Sequence, residues 1–297
     1  MTVTAEHAAA TTARWSAWPA TSRLYRFSLG LGLRSMSLRH ARAALPRVLN
    51  PLSYPRAMEF ALTLRGLDLP QKARVLDISS PKLLFLWLAS VTSLELTATD
   101  IMDSFISPTR YLLGRLGLTE QTGGRLRLET QDARELTYPD DHFDGVYSVS
   151  VVEHIPDDGD SRALREIARV LRPGGRACLT VPFSPEYKEE WVGRPVFERR
   201  PRRGERIFFQ RRYDDGALER RLIAPSGLTE AERAYFGEPA LGFDRYWNRL
   251  PMALRLPMAW AQPFFERAFL RELDGGQRDR AIGVALTLVN EGGAVDG

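Results

Sequence analysis

The chain has 297 residues, 44% hydrophobic and 26% charged, an ordinary globular composition with enough length to bury a core without covalent staples. The single cysteine, Cys178, excludes an intramolecular disulfide, and with a net charge of only +4 the one basic stripe is short and carries no recognised nucleic-acid-binding module. No run approaches roughly 18 uninterrupted apolar residues, which excludes a membrane-spanning helix and leaves a cytoplasmic protein as the expectation.

Residues 1–22, rich in Ala and Thr without an apolar h-region, read as a disordered tail and not as a secretory signal. Residues 23–68 form the expected N-terminal helical cap. Apolar positions recur at helical spacing in Leu45-Pro-Arg-Val-Leu49 and Met58-Glu-Phe-Ala-Leu-Thr-Leu64, with breaks at Pro51 and Pro55. Strands and helices then alternate. Strands are expected at 74–79, 93–99, 125–131, 143–149 and 176–181. Helices are expected at 82–89 (opened by Pro81), 108–116 and 160–171, the last with Leu164, Ile167, Ala168 and Leu171 on one face.

Such alternation implies a Rossmann-like, doubly wound α/β fold with a mostly parallel sheet. Residues 69–183 make its core, and 184–297 continue the same domain. Pro185, Pro195 and Pro201 with many arginines mark 185–213 as an irregular insertion. A helix at 214–222 and a strand at 229–236 resume the pattern. A second insertion, 239–275, carries Trp247, Trp260, Phe264, Phe265 and Phe269, and a last strand is expected at 281–289. Both insertions read as lids over a substrate pocket, although the aromatics of the second serve equally well as core.

Open α/β sheets bind ligands at the carboxyl ends of their strands, so chemistry is sought there. Val75-Leu-Asp-Ile78 ends in the turn Ser79-Ser-Pro-Lys82. Ala98-Thr-Asp100 closes the second strand, and Gln131-Asp-Ala133 follows the third. Phe143-Asp-Gly-Val-Tyr147 leads into Val152-Glu-His-Ile155, and Leu171-Arg-Pro-Gly-Gly175 precedes the fifth strand. In this order the six motifs resemble class I S-adenosylmethionine-dependent methyltransferases over residues 54–183.

The resemblance implies a cofactor, S-adenosylmethionine, and roles for particular residues. Asp100 matches the acid that accepts both ribose hydroxyls, with Ile101 beside it. Asp132 matches the partner of the adenine amino group, with Ala133 leaving room for the ring. Asp77 orders the first loop or meets the methionine ammonium, and Glu153 belongs to the loop after the fourth strand. The alternative for the three aspartates is simple strand-end capping.

The first turn departs from the family, which commonly has a Gly-x-Gly-type sequence there. Ser79 and Ser80 offer hydroxyls instead, and Lys82 offers a charge for the methionine carboxylate or a solvated first-turn residue. Either serine-based contacts hold the cofactor, or the site has decayed. Tyr54 and Arg56, just before the sheet, are placed to cover the methionine end as N-terminal Tyr and Arg do in related enzymes; packing and surface roles are the alternative.

His154 is the candidate general base, since imidazole accepts a proton near neutral pH. Its alternative role is to order its own loop. The arginines of 198–212 suit an anionic substrate, a membrane surface or mere solvation. The expected function is methyl transfer to O, N or C of a small molecule, with no metal and no nucleic acid involved. A homodimer is compatible with the amphipathic stretch 250–270. The rival readings are a methyltransferase fold doing other chemistry, and a non-catalytic scaffold.

Overall fold

Val75 and Asp77 point to one side of the first strand, Leu76 and Ile78 to the other, and all four are buried. A strand covered on both faces belongs at the centre of a sheet. The computed structural model describes residues 17–36, 45, 47–120, 124–239, 242–243, 246–247, 250–251, 254 and 256–292, and there β1 (Arg74–Ile78) does lie inside the sheet. Beside it run β2 (Glu95–Asp100), β3 (Leu126–Thr130), β4 (Phe143–Val149) and β5 (Leu171–Pro182). β8 (Thr229–Gly237), β9 (Arg271–Leu273) and β10 (Ala281–Val289) complete it in the order β3-β2-β1-β4-β5-β10-β8-β9. The first five strands pair in parallel, whereas β10 is antiparallel to both β5 and β8.

Helices cover both faces. On one, α1 (Ala17–Ser35), α2 (Arg56–Leu67), α3 (Leu83–Val91) and α4 (Asp103–Arg115) bury Leu24, Phe60, Phe85 and Leu112 against Val75, Leu96 and Tyr147. α2 lies close to the sheet at Gly66, where a Cβ would sit 2.2 Å from Thr287 Oγ1 and 2.7 Å from Cys178 Sγ. On the other face, α5 (Gly159–Val170) packs Leu164 and Ile167 on the sheet. A helical segment α6, running through Asp215–Leu218, a π-helical stretch Glu219–Ile223 and Ala224–Ser226, adds Leu218 and Leu222. α7 (Gln262–Phe269) belongs to the second insertion. No described helix is long and apolar enough to cross a membrane.

Several expectations change. α1 begins at Ala17, inside the expected tail, while residues 1–16, including His7, and His40 lie outside the described residues. α4 starts at Asp103, which places Pro108 within the helix and not at its start. The 185–213 insertion is not irregular throughout. It contains an antiparallel hairpin, β6 (Lys188–Val192) and β7 (Ile207–Arg212), outside the main sheet. Its prolines fall in the connections, leaving both strands free to pair.

Cys178 is buried, and burial pushes its thiol up to about 12, so it is an inert core residue.

Candidate active site

The turns after β1, β2, β3 and β4 surround one cavity of about 630 Å³. That volume lies in the range of small-molecule sites, and its position is the one open α/β sheets use.

Ser79, the first residue after β1, has φ +51°, the left-handed region that glycine normally supplies. Its neighbours hold it there. Ser79 N–H donates to Thr99 O at 3.1 Å, and Ser80 N–H to Asp77 Oδ1 at 2.9 Å. Ser80 Oγ accepts from Val149 N–H at 2.9 Å, linking this turn to the end of β4. Lys82 turns inward. Its ammonium donates to the carbonyls of Ser80 and Thr99, both at 2.9 Å, and lies 3.5 Å from Asp77 and 3.9 Å from Asp100. Two of its three N–H bonds are thus spent on backbone. Lys82 is therefore an internal counter-ion for two buried acids, and the expectation of a charge aimed at a ligand carboxylate gives way to that role.

Asp77 is buried beneath the turn, where burial raises its pKa and Lys82 only partly opposes the rise. Asp100 ends β2 on the cavity wall and accepts from Met102 N–H at 3.0 Å. Burial raises its pKa as well, offset in part by that bond and by Lys82. A carboxylate has about four acceptor sites, so Asp100 keeps capacity for a pair of hydroxyls. Asp132 differs. Arg134 forks its carboxylate, with Nη2 at 2.6 Å and Nε at 3.0 Å, and holds its pKa below the usual range. An amino group seeking Asp132 must share it with that arginine.

Beyond β4, Ser150 also has φ +51°, and Val152–His154 form a single 3-10 turn. His154 lines the cavity, with Nδ1 at 2.7 Å from the carbonyl oxygen of Phe209 on β7. A carbonyl can only accept, so Nδ1 carries the hydrogen and Nε2 keeps its lone pair. Burial lowers the pKa of the ring, which is neutral at neutral pH. Phe197, Phe208 and Phe209 from the hairpin and its loop wall this end of the cavity, and Arg199 adds a positive charge.

Glu153 does not line the cavity, but its Oε1 lies 3.7 Å from His154 Nε2. It is fully buried, and burial pushes its carboxyl up to about 8. Glu59 and Arg56 lie near it; they pair at 2.7 Å, and Ser150 Oγ donates to Glu59 at 2.6 Å. Arg56 also reaches the cavity wall. Tyr54 does not. Its N–H donates to Gln262 Oε1 at 2.8 Å, its hydroxyl to Glu238, and its ring packs edge-on against Phe243. Burial likewise pushes Glu266 up to about 8, with Met58 N–H donating to it.

Of the residues named from sequence, Arg56, Ser79, Ser80, Lys82, Asp100, Ile101, Asp132, Ala133 and His154 line the cavity, while Asp77, Glu153 and Tyr54 stand behind it. The 239–275 segment contributes no lining residue among those described; Phe243, Trp247, Phe265 and Phe269 stack on one another beside Tyr54. Sequence reasoning missed Arg134, Ser150 and the phenylalanines of the hairpin. Phe208-Phe209 was the available signal, an apolar pair inside an otherwise basic segment.

The sheet order, the acid closing β2 and the cavity over β1, β2 and β4 define a Rossmann-like fold of the class I methyltransferase type. Residues 76–179 match the methyltransferase domain family, which supports a class I S-adenosylmethionine-dependent methyltransferase. The chain is 32% identical over 93 residues to methyltransferase GfsG of Streptomyces halstedii, covering 31% of each chain. It is 38% identical over 86 residues to 27-O-demethylrifamycin SV methyltransferase of Amycolatopsis mediterranei, covering 28% of this chain and 31% of that one. The match thus spans about a third of these curated relatives. Among solved structures, the [4+2]-cyclase SpnF shares the fold with a TM-score of 0.52 at 20% identity, over 82% of this chain and 85% of that one.

Family and fold imply S-adenosylmethionine as cofactor. The residues present suit it. Asp100 retains acceptor capacity, Ala133 is small and lines the cavity, and Arg56 and the Ser79–Ser80 turn line it too.

Proposed function

We propose that this protein transfers a methyl group from S-adenosylmethionine to a hydroxyl oxygen of a small, largely apolar molecule. The observation that carries the reading is His154: neutral, hydrogen-bonded through Nδ1, and on the cavity wall between the strand-end acids and the phenylalanines. Asp100 would hold the ribose, Ile101 and Ala133 the adenine, and Ser79, Ser80 and Arg56 the methionine end. When bound, the cofactor supplies an electrophilic methyl group on a sulfonium, with S-adenosylhomocysteine as the leaving group. His154 Nε2 takes the acceptor's hydroxyl proton as the oxygen becomes a nucleophile. The hairpin phenylalanines hold the acceptor in line and exclude water, and Arg199 favours an acceptor of acidic character. The A. mediterranei relative, by its name, acts on an oxygen of a rifamycin, which supports a biosynthetic hydroxyl acceptor.

The test is incubation with methyl-labelled S-adenosylmethionine and a panel of phenolic and macrocyclic alcohols, followed by mass spectrometry. Label on an acceptor oxygen, lost on the order of a hundredfold in His154→Ala, is expected. Transfer that survives unchanged in His154→Ala would remove the base. No transfer to any member despite cofactor binding would favour other chemistry on this fold.

A further inference from the structure

β7 crosses the loop that follows β4 and grips it at two places. At the first, the Phe209 carbonyl receives the Nδ1 hydrogen of His154 at 2.7 Å. At the second, two residues along the strand, Arg211 donates from Nη1 to Ile155 O and from Nη2 to Asp157 O, each at 2.5 Å. Those carbonyls belong to the residues one and three beyond His154.

Arg211 is 1% exposed, one of the largest fully buried side chains among the described residues. A buried guanidinium is costly unless it is paired, so its partners show what it is for. Its Cζ lies 4.7 Å from the centroid of the Phe208 ring. Its Nε is 3.7 Å from Asp160 and 3.8 Å from Glu189. Asp160, itself fully buried, also accepts from Tyr213 at 2.8 Å and from both ends of the Arg221 fork, at 2.7 and 2.8 Å. Strand, loop and the start of α5 are thus locked around one charge cluster. The cluster leaves the cavity untouched: neither Arg211 nor Asp160 lines it.

We infer that Arg211 is a positioning residue for His154: by seating β7 on the carbonyls after the histidine, it brings the Phe209 carbonyl to Nδ1 and fixes the hydrogen there. Free imidazole in water keeps both tautomers, whereas this arrangement holds the one with Nε2 as acceptor. The same hairpin carries the phenylalanine wall, so base and acceptor wall move as one piece. Three titratable groups face the ring: Glu153 from its own loop, with Oε1 3.7 Å from Nε2, Arg56 from α2 and Glu190 from β6. None lies at hydrogen-bond distance from Nε2 in the structure, which leaves the Phe209 carbonyl to set the tautomer.

The inference rests on the role given to His154 above, but its readout is separate from turnover. Nitrogen NMR of the full chain, labelled at histidine and free of cofactor, should show His154 with its hydrogen on Nδ1. In Arg211→Met the signal should shift toward the Nε2–H form or average between the two, while His142 stays unchanged. The variant should keep its affinity for S-adenosylmethionine in calorimetry. Its kcat should fall on the order of tenfold to a hundredfold with KM nearly constant, and the acid limb of kcat should move further down, since the lost Phe209 contact favours the protonated ring. Should Arg211→Met fail to fold, Arg211→Lys keeps the charge and loses the two-carbonyl fork, and an intermediate spectrum is expected. A wild-type His154 protonated on Nε2, or a folded variant with an unaltered tautomer and pH profile, would overturn the inference. The expected tautomer together with full turnover in His154→Ala would leave the geometry standing and remove only the base.

Discussion

The two halves of the cavity are built differently. In the half formed by the turns after β1, β2 and β3, each strand-end acid holds its own turn by a short-range bond: Ser80 to Asp77, Met102 to Asp100, Arg134 to Asp132. The half around His154 depends on partners distant in sequence, Phe209 and Arg211 on the hairpin and Glu59 on α2. A site made of local turns tolerates a changed sequence if each turn finds a new internal solution. A site made of distant segments needs all of them to dock.

The glycine-poor first turn shows such a solution. Ser79 adopts the left-handed backbone itself, and the Lys82 ammonium fills the space between Asp77 and Asp100. The largest expected effect in this half comes from Lys82→Met, which leaves two buried carboxylates without their cation. Unfolding in denaturant should show a loss of roughly 3 kcal/mol. Calorimetry should also show cofactor binding lost at higher pH than in wild type, because Asp100, already raised by burial, loses an opposing charge and is protonated sooner as pH falls. Unchanged stability would mean that the lysine is solvated and the turn is held otherwise.

That half was largely legible in the sequence, and the other was not. Asp100, Ile101, Asp132 and Ala133 sit at strand ends, and strand ends follow from apolar runs of fixed period. All four line the cavity. The direction of a side chain was not legible. Lys82 could face out or in, and only the carbonyls of Ser80 and Thr99, 17 residues apart from the lysine in the second case, decide it. Nor could the sequence say which insertion reaches the cavity. The aromatic-rich 239–275 segment looked like the pocket wall, yet its rings satisfy one another beside Tyr54. The basic 185–213 segment supplies the wall through Phe197, Phe208 and Phe209, because its strands pair and fold back over the β4 loop.

A second perturbation probes the long-range half. Glu153 is buried with its carboxyl raised to about 8, against an ordinary value of 4.5. In that window the unfolded chain is ionised while the folded one holds the proton. Stability should therefore fall as pH rises from about 5 to about 8, on the order of a few kcal/mol through this group. Glu153→Gln should flatten the slope, as chemical denaturation at several pH values can show; Glu266 will leave a residual trend of the same sign. A slope unaltered by the substitution would mean that Glu153 is ionised in the fold and paired more strongly than its surroundings indicate.

The smallest effect belongs to Ser79→Gly, which restores the family's residue. Relief of the left-handed strain, set against the extra freedom of glycine in the unfolded chain, should raise stability by no more than about 1 kcal/mol. Cofactor affinity should stay within a factor of about three, since the turn already has the required backbone. A large gain in affinity would show that the serine turn is a compromised site.

Cofactor binding by the local half is the central claim. Calorimetry of the folded chain with S-adenosylmethionine should give one saturable site, and Asp100→Ala, which removes two charge-assisted hydrogen bonds, should weaken it on the order of a hundredfold or more. Absence of binding to the folded wild-type protein at near-millimolar cofactor, or equal binding by Asp100→Ala, would contradict it.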